Sequence, residues 1–155
     1  MKTRMVEARK RIALVAHDHR KPALAEWAIR NRDVLVTHEL MATGTTGKML
    51  QETLGVPVRQ FLSGPLGGDQ QIGSRIAQGL IDMLIFFWDP MQAQPHDTDV
   101  KALLRLAVTW NIPLACDEVT ADFVLSSPMM NQAYESILPE YDSYLKRVVD
   151  VDAGG

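Results

Sequence analysis

Two glycine-bearing turns and a scatter of acids and imidazoles carry the chemistry this sequence offers. Thr43-Gly44-Thr45-Thr46-Gly47 supplies hydroxyl donors, and its glycines let the backbone come close to a ligand. At the start of a helix, unpaired N–H groups and the dipole favour an anion, and a phosphate is the natural occupant. Ser63-Gly64 adds a second set of donors and Lys21 a cation. The first turn is not a Walker A loop, because Ala42 stands where that pattern requires glycine and Met49 follows Lys48. The dinucleotide glycine fingerprint is absent as well. The plainer alternative for either turn is a set of ordinary residues capping a helix.

Asp69 follows two glycines at the head of a predicted helix. It reads either as an N-cap or first-turn acid or as a carboxylate in the same crevice. Asp18, Asp89 and Asp99 would add negative charge there. Crowding raises the pKa of at least one such group while a helix terminus lowers it, an arrangement suited to proton transfer. His96, in Pro95-His96-Asp97, reads as a loop-bracing imidazole or as a neutral donor that polarises a carbonyl. His17 and His19 lie two apart and invite a metal, but no further His or Cys sits at ligand spacing, so no metal is assigned. Trp27, Trp88 and Trp110 lie on apolar stripes and read as core.

The elements that must position these groups follow from the apolar pattern. Residues 12–16 form a continuous apolar run ending in His17-Asp18-His19, as expected of a strand buried on both faces. A helix follows from Pro22 through Leu24, Trp27 and Ala28. Residues 34–41 read as a second strand, 43–47 as a breaker, 48–54 as a short helix and 56–62 as a third strand. A second breaker, 63–68, precedes a helix from Asp69 to about Gln78. Residues 83–88 are the most apolar strand. A helix through Val100, Leu103, Leu104 and Ala107, a strand at 112–116 and a helical turn at 120–125 complete the order. Tyr134, Ile137, Tyr141, Tyr144 and Leu145 suit a terminal helix or a subunit contact, and residues 1–10 and 151–155 read as flexible ends.

Alternating strands and helices with crossovers long enough for parallel pairing predict a single-domain α/β fold: a doubly wound, flavodoxin-like or Rossmann-like, mainly parallel sheet with helices on both faces. Ligands in such sheets collect outside the carboxyl ends of the strands, where the polar segments above fall.

The chain of 155 residues, 46% hydrophobic and 23% charged, is large enough for one packed core. Its formal net charge of −3 gives no positive field for a nucleic-acid backbone. No apolar run approaches the ~20 residues of a membrane span. The single cysteine, Cys116, cannot form an internal disulfide. A cytoplasmic protein without nucleic-acid or membrane partners is the expectation.

Five segments together resemble the methylglyoxal synthase family: 12–18, 42–47, 63–71, 88–90 and 95–103. The likeness runs over roughly residues 11–127 in the right order, and Ser63-Gly64-Pro65-Leu66-Gly67-Gly68-Asp69-Gln70-Gln71 is its most specific block. The resemblance implies a homohexameric lyase of a glycolytic bypass, which converts dihydroxyacetone phosphate to methylglyoxal and inorganic phosphate without metal or organic cofactor. It implies Asp69 as general base. Lys21, Thr43, Gly44, Thr45, Thr46, Ser63 and Gly64 would hold the phosphate, and His17 and His96 would flank the carbonyl and hydroxyl end. Asp18, Asp89 and Asp99 would be acidic neighbours that tune or relay protons. Cooperative phosphate inhibition is a further family trait. Ala115-Cys116-Asp117 departs from the family's Ala-Thr-Asn near an expected site rim or subunit contact, and Arg147 receives no role. A phosphate-sensing module and an isomerase that returns the proton are the competing readings.

Overall fold

The structure, a computed structural model, describes residues 1–92 and 97–142. In chain order it contains β1 (Lys2–Val6), β2 (Arg11–Ala16), α1 (Lys21–Arg30), α2 (Arg32–Leu35), β3 (Glu39–Thr43), α3 (Gly44–Leu54) and β4 (Val58–Phe61). It continues with α4 (Gly68–Ala77), β5 (Met83–Phe87), α5 (Asp97–Thr109), β6 (Leu114–Ala115), α6 (Glu118–Ser126) and β7 (Tyr134–Leu138). Five strands form a parallel sheet in the order β4-β3-β2-β5-β6. The expected doubly wound α/β class is therefore found. The chain winds outward from β2 to β3 and β4, then returns to β5 and β6. Connections leave β2 and β5 in opposite directions, which opens a crevice at their carboxyl ends.

Strand alternation divides the core. Ile12 and Leu14 of β2, with Ile85 and Phe87 of β5, pack against Leu24 and Trp27 of α1, Leu50 of α3 and Leu125 of α6. Ala13, Val15, Leu84 and Phe86 face the other way, against Ile72 and Ile76 of α4 and Val100 and Leu103 of α5. Every residue of β5 is buried, as its unbroken apolar run requires.

Several boundaries differ from the sequence reading. Residues 34–41 are not one strand: Leu35 and Val36 donate backbone hydrogen bonds four residues back to Asn31 and Arg32, and the strand begins only at Glu39. The β-branched Val34 and Val36 favoured extension, but the turn of helix lets Leu35 reach the core. The first breaker also proves to be helix, since α3 starts at Gly44 directly after β3. Gly47 lies inside α3 for a packing reason, because a Cβ there would sit 2.7 Å from Gln60 Cγ. Trp27 is core as expected, but Trp88 is 41% exposed.

The amino-terminal end, expected to be loose, instead forms β1, antiparallel to β7. Residues 134–138 are thus a strand and not a helix. Two buried charges tie this pair to the main sheet. Asp82 accepts from Arg4 Nη1 (2.9 Å), Arg11 Nε (3.0 Å) and the Arg11 backbone N–H (2.8 Å). Burial pushes its carboxyl up, but these donors outweigh that and hold it below the ordinary range. Lys10 Nζ donates to the carbonyls of Glu7, Ala8 and Gln132. Tyr144, Leu145, Arg147 and the 151–155 end lie outside the described residues.

Candidate active site

The crevice holds a cavity of ≈ 240 Å³. Thr43, Gly44, Thr45 and Thr46 reach it from the start of α3, Ser63 and Gly64 from the turn after β4, and Asp69 from the first turn of α4. His17, Asp18 and Lys21 enter from the segment after β2. Ten of the thirteen residues singled out in the sequence therefore line one space.

The capping alternative can be judged from the hydrogen bonds. Thr43 occupies the N-cap of α3 without a side-chain capping bond, and Ser63 likewise opens its 3₁₀ turn without one. Both hydroxyls are therefore unspent on capping, and the first N–H groups of α3 have no intrahelical acceptor. Lys21 Nζ lies 2.7 Å from Thr45 Oγ1 and 2.8 Å from Asp18 Oδ1, which sets a cation at the edge of this donor ring. The two turns meet closely: Gly44 takes φ +44°, and a Cβ there would lie 2.9 Å from Ser63 Cα. Only glycine permits both the conformation and the contact.

Asp69 is only 4% exposed, in a first turn where the dipole favours negative charge. The N-cap of α4 is Gly67, so Asp69 is not consumed as a cap. His17 is 5% exposed and meets Phe86 edge to face at 5.1 Å. Its Nδ1 accepts the backbone N–H of Asp89 at 3.0 Å. Nδ1 thereby keeps its lone pair, and the proton of the neutral ring sits on Nε2 as a donor. Asp18 behaves oppositely to acids crowded together: the hydrogen bond and charge of Lys21 hold its carboxyl below the usual range. Its side chain is 90% exposed, so it remains a hydrated anion at the rim.

The remaining acids lie apart from this cavity. Asp89 borders a neighbouring hollow of ≈ 330 Å³ with Trp88, Met91 and Lys101. Its Oδ1 accepts the Met91 N–H at 3.0 Å, bracing the turn whose amide holds His17. Asp99 is half-buried in the first turns of α5, outside the lining of either space. His96 lies outside the described residues. His19 is exposed on the 3₁₀ turn Asp18–Arg20, so it does not share a side with His17. Among the described residues no group of three His, Cys, Asp or Glu side chains forms a metal cluster, and no helix is long and apolar enough to cross a membrane.

Two features escaped the sequence reading. Phe86 walls the cavity from inside the most apolar strand, where nothing distinguishes it from core. Gly68 admits no side chain, since a Cβ would lie 1.9 Å from the Leu62 carbonyl oxygen. The Gly67-Gly68 doublet before Asp69 was the available signal. The unusual Asp117 is an N-cap, accepting the Thr120 N–H at 2.7 Å at the head of α6. Burial, with the Asp117 charge, raises the pKa of Cys116.

A parallel sheet with a donor-ringed crevice and a buried carboxylate defines an MGS-like domain, and the family model of that description matches residues 23–116. The chain is 56% identical over 151 residues to the methylglyoxal synthase of Pseudoalteromonas translucida (strain TAC 125), covering 97% of this chain and 98% of that one. It is 54% identical over 147 residues to methylglyoxal synthase of Leptospira interrogans, covering 95% and 99%. The crystal structure of methylglyoxal synthase from Elizabethkingia anophelis NUHP1 superposes with a TM-score of 0.89 at 59% identity, covering 95% of this chain and 97% of that one. The chain belongs to the methylglyoxal synthase family and is an enzyme of the lyase class.

Proposed function

We propose that the protein converts dihydroxyacetone phosphate into methylglyoxal and inorganic phosphate. The observation that carries this reading is the convergence of Asp69, His17, Lys21 and the two hydroxyl-bearing turns on one ≈ 240 Å³ cavity. That volume lies below the ~300–1,000 Å³ of sites for larger ligands and suits a three-carbon ester.

The phosphate is held by the N–H groups opening α3, the hydroxyls of Thr43, Thr45, Thr46 and Ser63, the Gly64 backbone, and Lys21. Asp69 removes a proton from the hydroxyl-bearing carbon, and the electron pair moves onto the carbonyl oxygen to give an enediolate. His17 donates from Nε2 to the developing oxyanion, and His96, which precedes α5 in the sequence, shares that role. The enediolate electrons then expel phosphate with the pair of the breaking C–O bond, leaving the enol of methylglyoxal, which tautomerises. Release falls to a cradle already built for the anion. Asp18, Asp89 and Asp99 tune this chemistry from the rim and the neighbouring turn. No metal or organic cofactor is required by these steps.

The protein acts as a cytoplasmic homohexamer with cooperative phosphate inhibition, in a glycolytic bypass. Association is supported by Phe123 (73% exposed) and Val119 (65%) on α6 and Ile29 (57%) on α1, apolar groups that a partner would cover. The decisive assay incubates the protein with dihydroxyacetone phosphate and measures free phosphate and dicarbonyl, expected in equal amounts. Asp69→Asn should lose roughly 10²–10⁴-fold in kcat while still binding inorganic phosphate. An undiminished rate removes the base assignment, and glyceraldehyde phosphate as the only product assigns an isomerase.

A further inference from the structure

Outside the active-site cavity, the edge of the sheet carries a shallow groove of ≈ 570 Å³ between β4 and α4. Met41, which pairs with Arg59 in register, faces the α4 and α5 core. Strand alternation then sends Arg59 and Phe61 to that same side. From α4 come Gln70, Gln71, Ser74 and Arg75. Gln60 also lines the groove, which thus gathers two guanidinium groups, the two α4 carboxamides and a hydroxyl, and no carboxylate lines it.

Arg75 is fixed in a particular way. Its guanidinium lies 5.5 Å from the centroid of the Phe61 ring, and its Nε is buried without a hydrogen-bond acceptor among the described residues. A buried donor left without an acceptor costs free energy unless a ligand supplies one. Arg59 forms no ion pair among the described residues, although acids outnumber bases in the chain, 19 to 16. Gln71 is partly committed, its Oε1 accepting the Leu62 N–H at 2.8 Å. That bond leaves the amide's NH₂ as a donor. A charged residue on an edge strand deters pairing with other strands, which accounts for Arg59 but not for the stacked, acceptor-less Arg75.

We propose that this groove is a second anion-binding site, separate from the catalytic cavity, which takes a phosphate or phosphate-ester group between Arg59 and Arg75. Planar guanidinium forks match phosphate oxygens in pairs, and the Gln and Ser donors complete the ring.

The test is calorimetric titration of the full-length protein with inorganic pyrophosphate, comparing wild type with Arg59→Gln/Arg75→Gln. Glutamine keeps a planar cover on Phe61 without the charge. Wild type is expected to bind two anions per chain and the double variant one, the lost class weakening at least ~10-fold. Turnover of dihydroxyacetone phosphate in phosphate-free buffer should stay within about twofold. Should the double variant fold poorly, Arg59→Gln alone, altering an exposed side chain, must still weaken the second class. An equal number of anions in wild type and variant overturns the proposal. So does a changed oligomeric mass at unchanged stoichiometry, which would make the groove a contact between copies. One anion in wild type and none in the variant would keep the groove and sink the phosphate reading of the cavity, so the two failures are distinguishable.

Discussion

Gly68→Ala tests the geometry of the proposed base with a single carbon. The new Cβ would lie 1.9 Å from the Leu62 carbonyl oxygen and 2.9 Å from both the Leu62 carbonyl carbon and Thr43 Cγ2. Ordinary carbon–oxygen contacts begin near ~3.3 Å, so the start of α4 or the turn after β4 must yield by ~1.4 Å. The obstacle is backbone, which cannot swing aside as a side chain would. Asp69 is the next residue and Ser63 follows Leu62, so the shift falls between the proposed base and the proposed phosphate grip. A displacement of ~1 Å can cost ~10²-fold in rate, and overpacking costs ~1–3 kcal/mol of stability. We expect kcat for phosphate release to fall ~10²-fold or more while circular dichroism stays native and Tm drops by several degrees. A folded Gly68→Ala enzyme with kcat within threefold of wild type would refute the placement of Asp69 in the reaction.

On the proposed reading, Lys21→Met removes one charge-assisted bond to the phosphate, worth about 1.5–3 kcal/mol. KM should rise roughly 10- to 100-fold in steady-state assays, and an unchanged KM would take Lys21 out of the grip. Asp82→Asn should cost about 3 kcal/mol at neutral pH, near the low end for a broken buried pair, because Arg4 and Arg11 stay 17% and 30% exposed. The folded state holds the Asp82 carboxyl below its ordinary value. Its contribution is therefore full above about pH 4 and vanishes as pH falls through the depressed folded value. Urea denaturation across that window should show a flatter acid loss in the variant, and parallel profiles would contradict the assignment. Asp117→Ala should lower Tm slightly with kcat intact; a large fall in kcat would place Asp117 in catalysis instead of at the head of α6.

Much of the frame was legible because it rests on strong local signals. The apolar runs at 12–16 and 83–88 are too short for membrane spans and too continuous for surface strands, and they became β2 and the heart of β5. The polar residues after each strand marked the crevice edge. Boundaries failed where tertiary contacts overrode local preference. Gly44 and Gly47 read as breakers, yet both are glycine because Ser63 and Gln60 press against them, and the helix begins at the first of the two. The β1–β7 pair was illegible because its partners lie at opposite ends of the chain. A few charged side chains, Lys10, Arg4, Arg11 and Asp82, hold it to the domain where an extended apolar run would have advertised it. Asp89 was grouped with the site acids from its place after a strand. The structure gives its side chain to a turn and its amide to His17, an arrangement that its place in the sequence did not show.

The closeness of Gly44 to Ser63 makes the two turns a single wall, in which Gly44 cannot gain a carbon without displacing Ser63. Variation in what this scaffold accepts must therefore come from the rest of the cavity lining, on the β2 and β5 side, where Val15, Ala16 and Phe86 stand. A selection for bulkier esters should accumulate its changes there and leave the tail-holding wall untouched.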